Sequence, residues 1–261
     1  MKKSLLFTLF FTCSPVLLAA RVFQQFYMLD PVTGFYTANL SGMGGFITAI
    51  CLAIIPLLLI VVWLSKPAEI APAKRSISVG IGAAVAAVLL AASGVMGLLN
   101  ADDMGQSVIA VLSIASAAVF AWQAFCCFTG GSFDGAFSLV PIAYGLARLV
   151  ITFMGYAGEV TITDTVFDIA TMCMLLLFLY SCGKIQAGVS GKRTAVLFFA
   201  FGLTAVFFCT DSFLAQTVAS IMGNDFKLHA SGNFDPSYLG FAIYIVTVLF
   251  AYGPKRDEQQ G

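Results

Sequence analysis

Continuous apolar runs, each long enough to cross a membrane as a helix, recur along the whole chain. The hydrocarbon core of a bilayer needs about 20 apolar residues per helix, and a barrel strand is about half that length. The pattern therefore predicts helices and excludes a membrane β-barrel. The predicted spans are 4–25, 43–64, 77–99, 107–128, 136–157, 165–183, 195–222 and 237–253.

Composition supports this prediction, because 60% of the 261 residues are apolar and only 10% are charged. Soluble domains contain about 25% charged residues, so the usual solvated surface is missing. A net charge of zero also argues against a nucleic-acid partner. We therefore predict an all-α, polytopic membrane helix bundle in the cell membrane. A single transmembrane domain would occupy 1–253, and a cytoplasmic tail would follow at 254–261.

Basic residues fix the predicted orientation, because cytoplasmic loops of membrane proteins carry an excess of Lys and Arg. With the amino terminus inside, ten of the thirteen basic residues fall on the cytoplasmic side: Lys2, Lys3, Lys66, Lys74, Arg75, Lys184, Lys192, Arg193, Lys255 and Arg256. Only Lys227 lies in an external loop. Both termini are therefore predicted to be cytoplasmic.

The first span resembles a secretory signal peptide, because Lys2 and Lys3 precede an apolar run that ends in Ala19 and Ala20. Cleavage after either alanine would place leucine at the −3 position, where a small residue is preferred. We therefore expect the span to be retained, which gives eight helices; cleavage would leave seven with the same orientation.

The two halves of the chain, 1–128 and 129–253, share several features. Phe26 and Phe153 each lie five residues after an intramembrane arginine, and Lys-Arg pairs precede both the third and the seventh span. Parallel repeats of this kind occur in transporters, which place their sites at the repeat interface. Chance similarity between apolar helices is the alternative interpretation.

Four ionisable residues lie inside predicted spans, namely Arg21, Arg148, Asp168 and Asp211. Each costs about 2.5–3.5 kcal/mol on insertion scales, so each needs a structural or functional reason. All four fall in the predicted outer half of the bilayer, and their charges sum to zero.

This shared depth predicts a polar, outward-facing ligand site, which Gln24, at the end of the first span, and Asp30, beyond it, would extend. Structural ion pairs, or snorkelling of the outermost charges to the interface, are the alternatives. Gln123 in the fourth span is interpreted as an interhelical hydrogen bond. The third span is rich in glycine and alanine, and this composition predicts close packing at the centre of the bundle.

No catalytic, cofactor or metal motif is present, so an enzyme is not expected. The only histidine is His229, which is too few for a typical zinc site. The leading hypothesis is a transporter of a small solute or ion, or its substrate-binding membrane component, in which Arg148 and Asp211 line the site. A sensor or scaffold subunit is the alternative. The predicted partners are the lipid bilayer, a small solute or ion, and a partner membrane or ATPase subunit, with no nucleic acid.

Overall fold

The computed structural model describes residues 3–28, 36, 39–65, 67, 69–71, 76–101, 103–156, 163–189, 191–221 and 235–254. Within these ranges the chain is an all-α bundle with one minimal pair of strands. The elements are α1 (Lys3–Tyr27), α2 (Ser41–Ser65), β1 (Ile70–Ala71), α3 (Ile77–Leu99), α4 (Met104–Thr129), α5 (Leu139–Tyr156), α6 (Thr163–Gln186), α7 (Lys192–Ile221), α8 (Ser237–Ala251) and β2 (Gly253–Pro254).

The predicted integral membrane fold is confirmed. Seven helices, α1 to α7, are long and apolar enough to cross a membrane, whereas α8 is shorter. The end of the bundle at which α3 ends and α4 begins is termed the outer end, after the predicted orientation. The opposite end is termed the inner end.

The short helix α8 lies at the centre of the bundle. It packs against α3 and α7, and its side chains also contact α4, α5 and α6. Helices α1 and α2 pack against α7, and Phe7 of α1 also stacks on Phe250 near the end of α8 at 4.6 Å. The largely buried position explains why an apolar helix of 15 residues suffices here, although it rises only about 22 Å.

The inner end of α8 is fixed by the two strands. β2 follows α8 and pairs antiparallel with β1, which lies between α2 and α3, so that Ile70 is opposite Pro254. Next to this pair, the ring of Tyr252 stacks on Phe198 of α7 at 5.5 Å. Since α8 is short and fixed at the inner end, its amino terminus lies inside the bundle, below the outer end of α3.

The small residues of α3 do allow close packing, but α3 is not the central helix. Gly82 lies against Thr247 of α8, and Gly94 lies against α4. The opposite side of α3, including Ile81 and Val88, is exposed. Small side chains determine how closely two helices approach, and they do not require that a helix be enclosed on every side.

Gly94 offers a test of the contact between α3 and α4. A Cβ there would lie 2.6 Å from Ile114 Cγ1 and 2.9 Å from the Ala110 carbonyl oxygen. We expect Gly94→Val to lower the free energy of unfolding by about 1–3 kcal/mol, because overpacking forces the two backbones apart. Gly45→Val is the matched control, since nothing lies within 4 Å of its Cβ position. Reversible unfolding in mixed micelles would measure both, and equal losses would contradict the close contact.

Candidate functional site

An ion pair joins the middle of α5 to the residues just before α8. Arg148 Nη1 lies 2.5 Å from Asp235 Oδ2, and both side chains are largely buried, at 13% and 14% exposure. The Asp235 carboxylate is also held locally, because the backbone N–H of Ser237 donates to Oδ1 at 2.9 Å. The segment just before α8 thus directs an acidic side chain toward α5.

Hydroxyl groups complete the surroundings of the Arg148 guanidinium. Nη1 donates to Tyr144 Oη at 2.6 Å and to Ser237 Oγ at 3.2 Å, and Nη2 donates to Tyr238 Oη at 3.1 Å. The guanidinium carbon also lies 4.7 Å from the centre of the Tyr238 ring. Tyr144 is placed one helical turn before Arg148, so α5 supplies both the cation and one of its acceptors.

Asp235 is stabilised as a carboxylate. Burial alone would raise its pKa, but the Arg148 guanidinium and the hydrogen bonds from Ser237 and Ser93 hold the pKa of Asp235 below its ordinary value. Its backbone N–H donates to Gln216 Oε1 of α7 at 2.9 Å. These contacts connect the pair to α3, α5, α7 and α8.

This ion pair forms one wall of a cavity of about 280 Å³ near the outer end. α3, α4 and α5 supply the rest of the lining, which is partly polar: Ser93, Met96, Gly97, Asn100, Gln106, Ile109, Ala110, Ser113 and Thr152. Ser93 lies roughly 9 Å before the end of α3, at 1.5 Å per residue from position 93 to 99. We term this space the outer cavity.

A second cavity of about 300 Å³ lies near the inner end, between α3, α4, α6 and the residues after α8. Its polar lining includes Gln123, Gln186 and Ser132, and Tyr252 closes one side. Tyr244 Oη donates to Gln123 Oε1 at 3.1 Å, which confirms the predicted interhelical hydrogen bond. We term this space the inner cavity.

A layer of aromatic side chains separates the two cavities. The Phe241 ring of α8 lies 6.0 Å from Phe120 of α4 and 6.1 Å from Tyr144 of α5, measured between ring centres. Phe120 also packs edge-on against Tyr244 at 4.7 Å. On α4, Ser113 lines the outer cavity, Phe120 belongs to this layer and Gln123 lines the inner cavity. The aromatic layer therefore lies between the outer and the inner cavity.

The other predicted charges form a separate cluster on α1, α6 and α7. Arg21 is fully buried, with Nε 3.6 Å from Asp211 Oδ2 and the guanidinium carbon 3.9 Å above the Phe167 ring. Asp168 follows Phe167 and is also buried.

Gln24 has a packing role between α1 and α2. Its carbonyl oxygen accepts from Arg21 Nη1 at 2.6 Å, and its amide nitrogen donates to the Gly44 carbonyl oxygen at 2.6 Å and to Thr48 Oγ1 at 2.8 Å. The side chain therefore joins the buried arginine to the first turns of α2. Gln24 lies within α1, as in the predicted span 4–25, and the helix continues to Tyr27.

The predicted site residues are therefore divided between two places. Arg148 and Asp211, which the sequence predicts to line one site, each bind a different partner, whereas Arg21 and Asp211 are brought together. Asp30 lies outside the described residues. Sequence reasoning misses Asp235, because it places this residue in an external loop. The signal that could have revealed it is its position directly before Pro236 and Ser237, at the start of an apolar run.

Among the residues that the structure describes, no group of three His, Cys, Asp or Glu side chains is placed to hold a metal ion. Comparisons of the chain with protein-family models, with curated proteins and with solved structures each found no match. Function is therefore inferred from the geometry of the chain itself.

Proposed function

We propose that the protein carries a small polar solute across the membrane along α8. The observation that supports this proposal is the pair of partly polar cavities toward opposite ends of the bundle, separated by the aromatic layer of Phe120, Phe241 and Tyr144. A structural bundle gains nothing from polar cavities, because polar groups facing hydrocarbon or voids are unfavourable. A carrier needs such cavities, together with a barrier between them.

The size and charge of the outer cavity favour a solute that is neutral overall. At about 30 Å³ per water, its volume of about 280 Å³ holds roughly nine water molecules, which is the size of a small metabolite. Arg148 and Asp235 offer one positive and one negative charge, so a zwitterion or a neutral polar solute keeps the site electrically balanced. An ion of either sign would leave an unbalanced charge at low dielectric.

Tyr144 connects the charged site to the barrier. Its hydroxyl accepts from Arg148, while its ring packs against Phe241. A solute that binds Arg148 competes with this hydroxyl, and a displaced Tyr144 ring would loosen the aromatic layer. Binding in the outer cavity and opening toward the inner cavity are thereby coupled through one side chain.

An osmotic assay on reconstituted vesicles tests the proposal by comparing solutes of different charge. Stopped-flow light scattering would follow the entry of glycine, taurine and erythritol as neutral solutes, and of choline and isethionate as charged ones. We expect faster entry of at least one neutral solute than in protein-free vesicles. Entry of every solute at the protein-free rate, in both the wild type and the Phe241→Ala variant, would contradict the proposal.

Truncation of the aromatic layer should increase the flux. We expect Phe241→Ala to speed entry of the transported solute roughly tenfold, the factor produced by lowering a barrier by about 1.4 kcal/mol. Phe207→Ala is the matched control, because Phe207 is an equally buried phenylalanine on α7 that lines neither cavity. Equal flux through the two variants would mean that Phe241 is only a packing residue.

A further inference from the structure

A wide groove lies between α2 and α7 at the inner end of the bundle. It has a volume of about 830 Å³, and its walls are apolar along most of their length: Leu59, Ile60, Trp63, Pro67, Val196 and Leu197. The two cations that begin α7, Lys192 and Arg193, line its inner end. Trp63, Ile60 and Leu59 are all exposed, so the groove is open to the surrounding membrane.

The charges at the inner end of the groove lack compensation. Within the part of the chain that the structure describes, neither Lys192 nor Arg193 forms an ion pair, and both side chains are exposed. Their position is electrostatically unfavourable, because the first turn of a helix already carries a partial positive charge. An anion bound at this point would relieve both effects.

The position of the groove at the membrane–water boundary indicates which kind of anion fits it. Trp63 lies in the last turn of α2 and Arg193 in the first turn of α7, so an aromatic ring and two cations share one end of the two helices. Tryptophan and basic side chains are typical of the membrane–water boundary, and basic pockets between membrane helices bind lipid headgroups. The apolar walls then continue from this boundary toward the middle of the membrane.

We propose that this groove is a binding site for one anionic phospholipid. Its phosphate is bound by Lys192 and Arg193, and its acyl chains lie along Ile60 and Val196. The site does not depend on the proposed transport activity, because none of its residues lines the outer or the inner cavity. A free phosphate would use only the cations and leave the apolar walls unoccupied.

Native mass spectrometry of the purified protein with added lipid tests the site. The probes are dioleoylphosphatidylglycerol, dioleoylphosphatidylcholine and inorganic phosphate. We expect the wild-type protein to retain one phosphatidylglycerol at least tenfold more tightly than phosphatidylcholine, and excess phosphate not to displace it. Equal retention of the two lipids, or displacement by phosphate, would overturn the proposal even if no variant could be prepared.

Variants separate the headgroup contacts from the apolar contacts. The double variant Lys192→Gln/Arg193→Gln should lose at least tenfold in phosphatidylglycerol affinity, with phosphatidylcholine binding unchanged. Lys184→Gln, which removes a cation near the same end at the close of α6, should bind like the wild type. Val196→Trp, which fills the groove but keeps both cations, should weaken binding of phosphatidylglycerol. Wild-type binding by the double variant, or by Val196→Trp, would exclude the site.

Discussion

Replacing Arg21 by methionine is expected to lower the free energy of unfolding by about 3–5 kcal/mol, because it leaves the carboxylate of Asp211 buried without its cation. Arg21 is fully buried and Asp211 is 2% exposed, so water cannot replace the lost partner. The substitution also removes the guanidinium from the Phe167 ring and from Gln24. Reversible unfolding in mixed micelles, followed by circular dichroism, would measure the loss.

The double variant Arg21→Met/Asp211→Leu is the control for this result. Replacing a whole buried ion pair by apolar side chains is often neutral or stabilising. We therefore expect the double variant to recover most of the stability that the single variant loses. A double variant as unstable as Arg21→Met would contradict the pairing, and it would point to a separate role for Asp211.

Replacing Arg148 by glutamine is expected to lower the flux of the transported solute about 30-fold or more. The solute loses its hydrogen bond from the charged Arg148, and hydrogen bonds to charged groups contribute about 1.5–3 kcal/mol. A loss of about 2 kcal/mol corresponds to the expected 30-fold, since each 1.4 kcal/mol is a factor of ten. The same vesicle assay would measure the flux for the solute that the wild-type protein transports.

Two further variants separate transport from stability. Arg148→Gln/Asp235→Asn removes both charges, so we expect it to recover stability while the flux stays low. Lys184→Gln removes a cation away from both cavities, where Lys184 lies 5.7 Å from the Tyr180 ring, and should retain full flux. Wild-type flux in either the single or the double Arg148 variant would mean that the ion pair is purely structural.

The spans of this fold are predictable from the sequence, because membrane thickness fixes the length of an apolar run. The ends of α3 are the same in the sequence prediction and in the structure, at 77 and 99. The central place of α8 is not predictable in this way. Hydropathy shows that a segment prefers an apolar environment, and it does not distinguish lipid from the interior of a protein.

The pairing of the charges is only partly predictable. Counting along each helix gives the depth of a residue, and similar depth is what allows ionisable groups on different helices to meet. The depth of an ionisable residue does not identify the residue that it contacts. That partner depends on how the helices are rotated and arranged around the bundle. Arg148 thus binds Asp235, a residue outside the predicted spans, and Asp211 binds Arg21.

The central position of α8 has a consequence for how the protein is made. The ribosome releases α3 to α7 before α8, so these five helices, all of which contact α8, are synthesised while their shared interior is still unfilled. During that interval Arg148 lacks Asp235, and Gln123 lacks the Tyr244 hydroxyl. Final closure of the bundle therefore follows the synthesis of α8, and Arg148 gains its carboxylate partner only at that stage.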